Sequence, residues 1–199
     1  LVGSEMCIRD RLPSVGLYTV KVTDGDKQSQ GVLSAHASWE WTMERAREGA
    51  LKYHQKATSH IESWYGFHSS FIAARYFPEK QLDEALRSRF DYLFGLLHDR
   101  TKMVPLYHAS RIQNTSGTIG LLVDKYEAYG DVEDLKKASR LADWLMNTWQ
   151  RKDGAYVNHN TVYTSVIYVA KSMLELTLVE RELGKTESVW KEAADRHYA

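Results

Sequence analysis

Apolar and polar residues alternate from Leu17 to Val22, inside the segment 12–25, and the alternation stops at Asp24-Gly25. This pattern predicts a β-strand closed by a turn. A lone strand has no partner for its backbone groups or its apolar face, so it is expected to be the last strand of a β-sandwich. The short polar stretch Asp26 to Gln30 then reads as the linker into the next domain. From Ser38 onward the period changes from two to about 3.6 residues. Helices are predicted over Ser38–Gln55, Ser59–Phe77, Glu79–Asp99, Gln113–Tyr129, Asp131–Gln150, Thr161–Leu183 and Thr186–Ala199.

The turns between these helices organise the rest. Pro78 precedes Glu79, Gly130 precedes Asp131, and Gly184 precedes Lys185 and Thr186, so each helix meets a stop signal and the next begins almost at once. The helices introduced by these turns also align, Leu82 and Ala85 with Leu135 and Ala138 and then with Trp190 and Ala193. A unit of two helices, one long loop and one tight turn that recurs in this way predicts stacked helical hairpins, each needing neighbours to bury its apolar face. The expected fold class is therefore all-α, an incomplete (α/α) toroid over residues 31–199 that follows a remnant sandwich strand and linker at 12–30.

Within each hairpin the two helices differ. Leu82–Leu97 and Leu135–Trp149 carry charge on one face and Leu, Phe or Trp on the other, as surface helices do. The alternate segments are poorer in charge and contain Ser69, Ser70, Ala73, Gly117, Gly120, Ser165, Ala170 and Ser172, small residues that allow close approach. They are expected to form the inner ring.

Charge and cysteine usage narrow the function classes. The 26 basic and 26 acidic side chains cancel, which does not favour nucleic acid or another polyanion as a partner. No apolar run approaches the roughly 18 residues a membrane span needs, so no membrane partner is expected. Residues 1–11 resemble the translated reading frame of a sequencing adapter and are set aside, and with them goes Cys7, the single cysteine. Thiol chemistry and Cys-ligated metals are thereby excluded for the rest. On this reading the gene is cut upstream, and a periplasmic or secreted protein with an unseen export signal is expected, alongside a cytoplasmic alternative.

Each inner helix is entered through a segment dense in aromatic and hydrogen-bonding groups: His54 to Tyr65, His108 to Thr115, and Asn158 to Tyr163. These entrances are expected at one rim, where helix N-termini offer N–H groups and partial positive charge to an acidic sugar. Sugars are apolar on their ring faces and polar on their edges, so aromatic platforms and planar amide or guanidinium groups recognise them. Trp64, Tyr65, His68, Arg111, Asn114 and Asn160 are the substrate-binding candidates, and Glu62, His60, His159 and Tyr163 the catalytic ones. The structural alternative is a capping box from Ser59 to Glu62 with ordinary core aromatics and histidines. No helical His or Glu-His pair has metal-ligand spacing, and no metal or other cofactor is called for.

Glycoside hydrolysis needs two carboxylates. Glu62 among Ile61, Trp64 and Tyr65 is the first candidate, with Asp124 and Asp153 as possible seconds, although Asp153 before Gly154 has the sequence of a turn. A polysaccharide lyase instead needs a neutraliser for a uronate carboxylate and a base for the α proton. Arg111, Asn114 and Asn160 fit the first role, and His159 or Tyr163 the second.

A strand Gly16-Leu17-Tyr18-Thr19-Val20-Lys21-Val22, a linker, and hairpins entered through Ser59-His60-Ile61-Glu62-Ser63-Trp64-Tyr65 resemble the six-hairpin glycosidase superfamily across nearly all of residues 12–199. The resemblance implies a carbohydrate-active enzyme acting on an oligosaccharide or polysaccharide with acidic units. Among its members are uronyl hydrolases and heparinase-like lyases, and the paired catalytic aspartates of the unsaturated uronyl hydrolases have no match here. Hydrolase is the expectation, lyase the alternative, and a non-catalytic helical-repeat binding protein the alternative of another class.

Overall fold

The structure is a computed structural model, and it describes residues 16–35, 39–54, 66–99, 101–106, 111–158, 161–162 and 167–184. Among these residues the chain is mostly helical, with six helices and two small two-stranded sheets. It divides into two compact units, residues 1–42 and 43–199.

In the first unit, β1 (Gly16–Asp24) and β2 (Lys27–Ala35) form an antiparallel hairpin in continuous register from Gly16↔Ala35 to Asp24↔Lys27. The Gly25-Asp26 turn needs a left-handed residue, which Gly25 supplies at φ 56° without steric cost. The predicted strand is present, but the expected linker Asp26–Gln30 is the turn and the start of β2. Gln28, Ser29 and Gln30 lack an apolar alternation and still form a strand, because a tight turn sets the register and β1 satisfies their backbone groups. The domain boundary expected at residue 31 accordingly falls inside β2.

The helices are α1 (Trp39–His54), α2 (Gly66–Tyr76), α3 (Lys80–Leu97), α4 (Ile112–Tyr129), α5 (Val132–Trp149) and α6 (Ile167–Glu182). Five follow the predicted spans closely, with Ser59–Tyr65 of the second span and all of the seventh lying outside the described residues. The sixth begins later than predicted. Thr161-Val162 is a strand, β4, paired with β3 (Val157–Asn158), since β-branched Val157, Thr161 and Val162 favour extended backbone on either side of a two-residue connection.

The expected corners are built as their residues dictate. The Glu79 side chain accepts from the backbone N–H of Gln81 and Leu82, which starts α3. Gly130 closes α4 at φ 74° with its N–H donated to the Tyr126 carbonyl, and Asp131 caps α5 through the Glu133 N–H.

Contacts give the helix directions. His68 lies against Gly120 while Arg75 bonds Glu127, a seven-residue step on both α2 and α4, so these two run parallel. The tight corner turns α5 back along α4. Ser172 of α6 lies against Gly120 of α4, while Glu175 and Glu182, further along α6, act on the charge of Glu127, further along α4, so α6 is parallel to α4 and antiparallel to α5. Likewise Phe67 at the start of α2 meets Phe90 in the second half of α3. Alternate helices therefore run in one direction and their hairpin partners in the other.

The core runs through this stack. Phe67, Phe71 and Phe90 form an edge-and-face cluster beneath Leu86 and Leu93, and α5 contributes Leu135, Ala138, Leu141, Ala142 and Leu145 at helical spacing. From Ile112 to Lys125 every residue of α4 except Gln113 is buried, as its low charge implied. Lys125, only 1% exposed, is bonded to the fully buried Asp134 and to Asp91, which ties α4 to α5 and α3. Arg47 of α1 donates to the Phe77 carbonyl and pairs with Asp83, which also accepts from the Tyr129 hydroxyl.

Candidate functional site

Because α2, α4 and α6 run parallel, their N-terminal ends point the same way. Of the candidate residues that precede or begin them, His60, Glu62, Trp64, Tyr65, His159, Asn160 and Tyr163 lie outside the described residues. His68, Arg111 and Asn114 are described. Arg111 is exposed at the N-cap of α4 with extended backbone and makes no side-chain cap bond, so its guanidinium stands at the positive end of that helix. Asn114 is buried in the first turn, and its carbonyl accepts from Thr118.

His68 is separated from that pair. Its Nδ1 is bonded to Oδ2 of Asp124, across the α2 to α4 contact, with side-chain exposures of 27% for His68 and 9% for Asp124. At 1.5 Å rise per residue, Asp124 lies about 20 Å along α4 from Arg111. Two candidates of the sequence are thus brought together, His68 and Asp124, and neither sits beside Arg111.

A glycine makes the His68–Asp124 contact possible. A Cβ on Gly120 would lie 2.9 Å from the Ser172 Oγ of α6 and 3.2 Å from the His68 Cε1 of α2. Only a bare Cα lets an imidazole and a serine meet over α4 here. Gln113, Gly117, Gly120, Asp124 and Glu127 recur at steps of four, three, four and three, which puts them on one face of the helix. The signal for the couple was therefore in the sequence as a polar and small stripe on α4, and what it lacked was the identity of the residue facing it from α2.

Glu127, paired with Arg75, has its carboxyl pushed up by burial against the pull of that guanidinium, with Asp124 and Glu175 adding to the upward push. Asp153, the other candidate second carboxylate, is exposed in a turn, where it bonds Arg151 and accepts from the Ala155 N–H, while Gly154 takes φ 88°. Its turn reading holds.

Two histidines are structural. His54, fully buried, stacks on Phe67 at 3.8 Å with an interplanar angle of 9°, and neither ring nitrogen has a hydrogen-bond partner among the described residues. Burial, followed by the charge of Arg89, pushes its imidazole down to about 4. His98 stacks on Phe94 and is likewise pushed down to about 4 by burial, opposed in part by the Phe94 carbonyl near its Nδ1. A cavity of about 200 Å³ between α1 and α2 is lined by Met43, Ala46, Ala50, Gly66 and other small residues, and its one cation, Arg47, is already engaged by Phe77 and Asp83. It offers packing space rather than chemistry.

Among the described residues no group of three or more His, Cys, Asp or Glu side chains is placed to hold a metal ion, and no helix is long and apolar enough to cross a membrane. Comparison with protein-family models, with curated proteins and with solved structures found no match.

Proposed function

We propose that this chain is part of a carbohydrate-active enzyme of the (α/α) toroid type, a glycoside hydrolase acting on saccharides with acidic units. The observation that carries the reading is the common direction of α2, α4 and α6, whose N-terminal ends follow three segments dense in aromatic and hydrogen-bonding groups. Helix N-termini with Arg111 at one of them suit an anionic sugar, and Trp64, Tyr65 and Asn160 belong to the segments leading in. Glu62 is the proposed general acid, with His60 beside it in sequence.

One observation favours a polysaccharide lyase as the second reading. Asp124 is bonded to His68 and Asp153 is held in a turn, whereas Arg111 and Asn114 stand at the start of α4, where a uronate carboxylate would be neutralised. His159 or Tyr163 would then take the proton.

Incubation with saturated and unsaturated oligouronides, followed at the absorbance of the sugar double bond, separates the readings. A hydrolase of unsaturated uronides lowers that absorbance, a lyase raises it on saturated substrate, and neither change together with no binding overturns both. Glu62→Gln is expected to abolish hydrolysis, and full retained activity removes Glu62 from the mechanism.

A further inference from the structure

The space between α1 and α2 holds no reactive group, yet its walls leave one polar atom unanswered. Met43, Ala46 and Ala50 of α1 and Gly66 and Ala73 of α2 enclose about 200 Å³. Packed interiors keep few voids larger than a water molecule, so a space of this size between small side chains is unusual. Ala46, Gly66 and Ser69 are exposed, which leaves the cavity open to solvent along one edge. Arg47, only 2% exposed, lies on its buried side. The Arg47 Nη1 donates to the Phe77 carbonyl and Nη2 pairs with Asp83, whereas Nε has no hydrogen-bond partner among the described residues. A buried guanidinium N–H is seldom left in that condition, and it can be answered only by an acceptor. The Ser70 hydroxyl is turned to its own helix, where it donates to the Gly66 carbonyl at 3.0 Å.

Charge decides which acceptor fits. Asp83 already balances the guanidinium, and the charges of Glu79 and Glu44 also reach it. A carboxylate or phosphate would lose its hydration there and meet acidic neighbours, so an anion is disfavoured. A hydroxyl would bring an O–H that the apolar walls cannot answer, whereas a carbonyl oxygen only accepts. An apolar cavity of about 150 Å³ holds benzene, so this one has room for a single ring and a carbonyl beside it. We propose that the cavity between α1 and α2 binds a small uncharged carbonyl compound, with an apolar body of about one ring and its oxygen on the Arg47 Nε–H. The site is independent of the carbohydrate reading.

The test uses the 199-residue chain with three probes: acetophenone, α-methylstyrene, which has the same shape without the oxygen, and benzoate, which adds a charge. Calorimetric titration should show saturable binding of acetophenone, with the other two each about tenfold weaker, the worth of one hydrogen bond from a charged donor. The NMR signal of the Arg47 Nε–H should move as acetophenone is added. Ala50→Leu, which fills the cavity, should abolish binding without lowering the melting temperature, and if that variant does not fold, the wild-type Nε–H signal decides. No saturable binding of acetophenone, equal affinity for acetophenone and α-methylstyrene, or an Nε–H signal unmoved at saturation overturns the inference. Wild-type affinity in a folded Ala50→Leu variant places the ligand elsewhere and overturns it as well.

Discussion

Four buried residues, Lys125, Asp134, His54 and His98, make the sharpest predictions about individual side chains. Lys125 neutralises Asp134 where Asp134 has no exposure at all, with Lys137 as a second, more distant cation. Lys125→Met leaves that carboxylate without its nearest partner and should destabilise the chain by about 3–5 kcal/mol, measured by urea denaturation. The double variant Lys125→Met, Asp134→Leu should recover most of the loss, because removing both charges removes the desolvation cost as well. His54 and His98 predict the acid limb of stability. Both imidazoles are held at about 4 when folded and return to about 6.5 on unfolding, so between those values the unfolded chain binds more protons. Stability is therefore highest above about pH 6.5 and falls as the pH drops towards 4. Urea midpoints taken from pH 7 to pH 4.5 should decline, and His98→Phe should make the decline shallower. A flat profile contradicts the burial of these rings.

The prediction for the helices as elements concerns their spacing rather than their formation. Gly120→Ala adds a methyl within 2.9 Å of Ser172 Oγ and 3.2 Å of His68 Cε1, so α2 and α6 must both give way. Alanine favours the isolated helix by about 1 kcal/mol, and overpacking costs about 1–3 kcal/mol, so the net effect is a loss. Adding Ser172→Ala should recover part of it, since the nearer of the two clashes then disappears. A Gly120→Ala variant as stable as the wild type in thermal melts would show that the three helices are not in close contact there. The helices themselves were legible in the sequence because each carries its own signals. Helices start at Glu79 and Asp131 where starts were expected, each capped by that residue's own carboxylate, Gly130 is left-handed where a stop was expected, and Leu135, Ala138, Leu141 and Ala142 bury the face that their spacing marks. The strands were less legible. β2 has no apolar alternation in Lys27 to Gln30, and only its pairing with β1 makes it a strand.

For the molecule as a whole, the toroid reading implies that the hairpins need further neighbours on their open sides. Leu178 and Leu183, at the end of α6, are 53% and 51% exposed, and Ile72 and Tyr76 on α2 are 43% and 68% exposed. The chain should therefore associate with rising concentration and bind a hydrophobic dye, as exposed apolar side chains of this kind do. Sedimentation of a single species at all concentrations, with a sharp cooperative melt, contradicts the need for neighbours.

The sequence by itself determined the helical class, the tight corners and the division of helices into charged and small-residue types, because capping, turn formation and amphipathic period act within a few residues. It also named His68 and Asp124 as residues with chemistry, but as members of unrelated groups. Only tertiary structure decided that they bond each other, that α2 lies parallel to α4 with a seven-residue match between them, and that Asp124 stands about 20 Å along the helix from Arg111. Those facts depend on how deeply two helices approach at Gly120. Approach of that kind is set by the fit of side chains 50 or more residues apart, as in the Arg75 to Glu127 pair, whose separation is 52, and no local pattern encodes it.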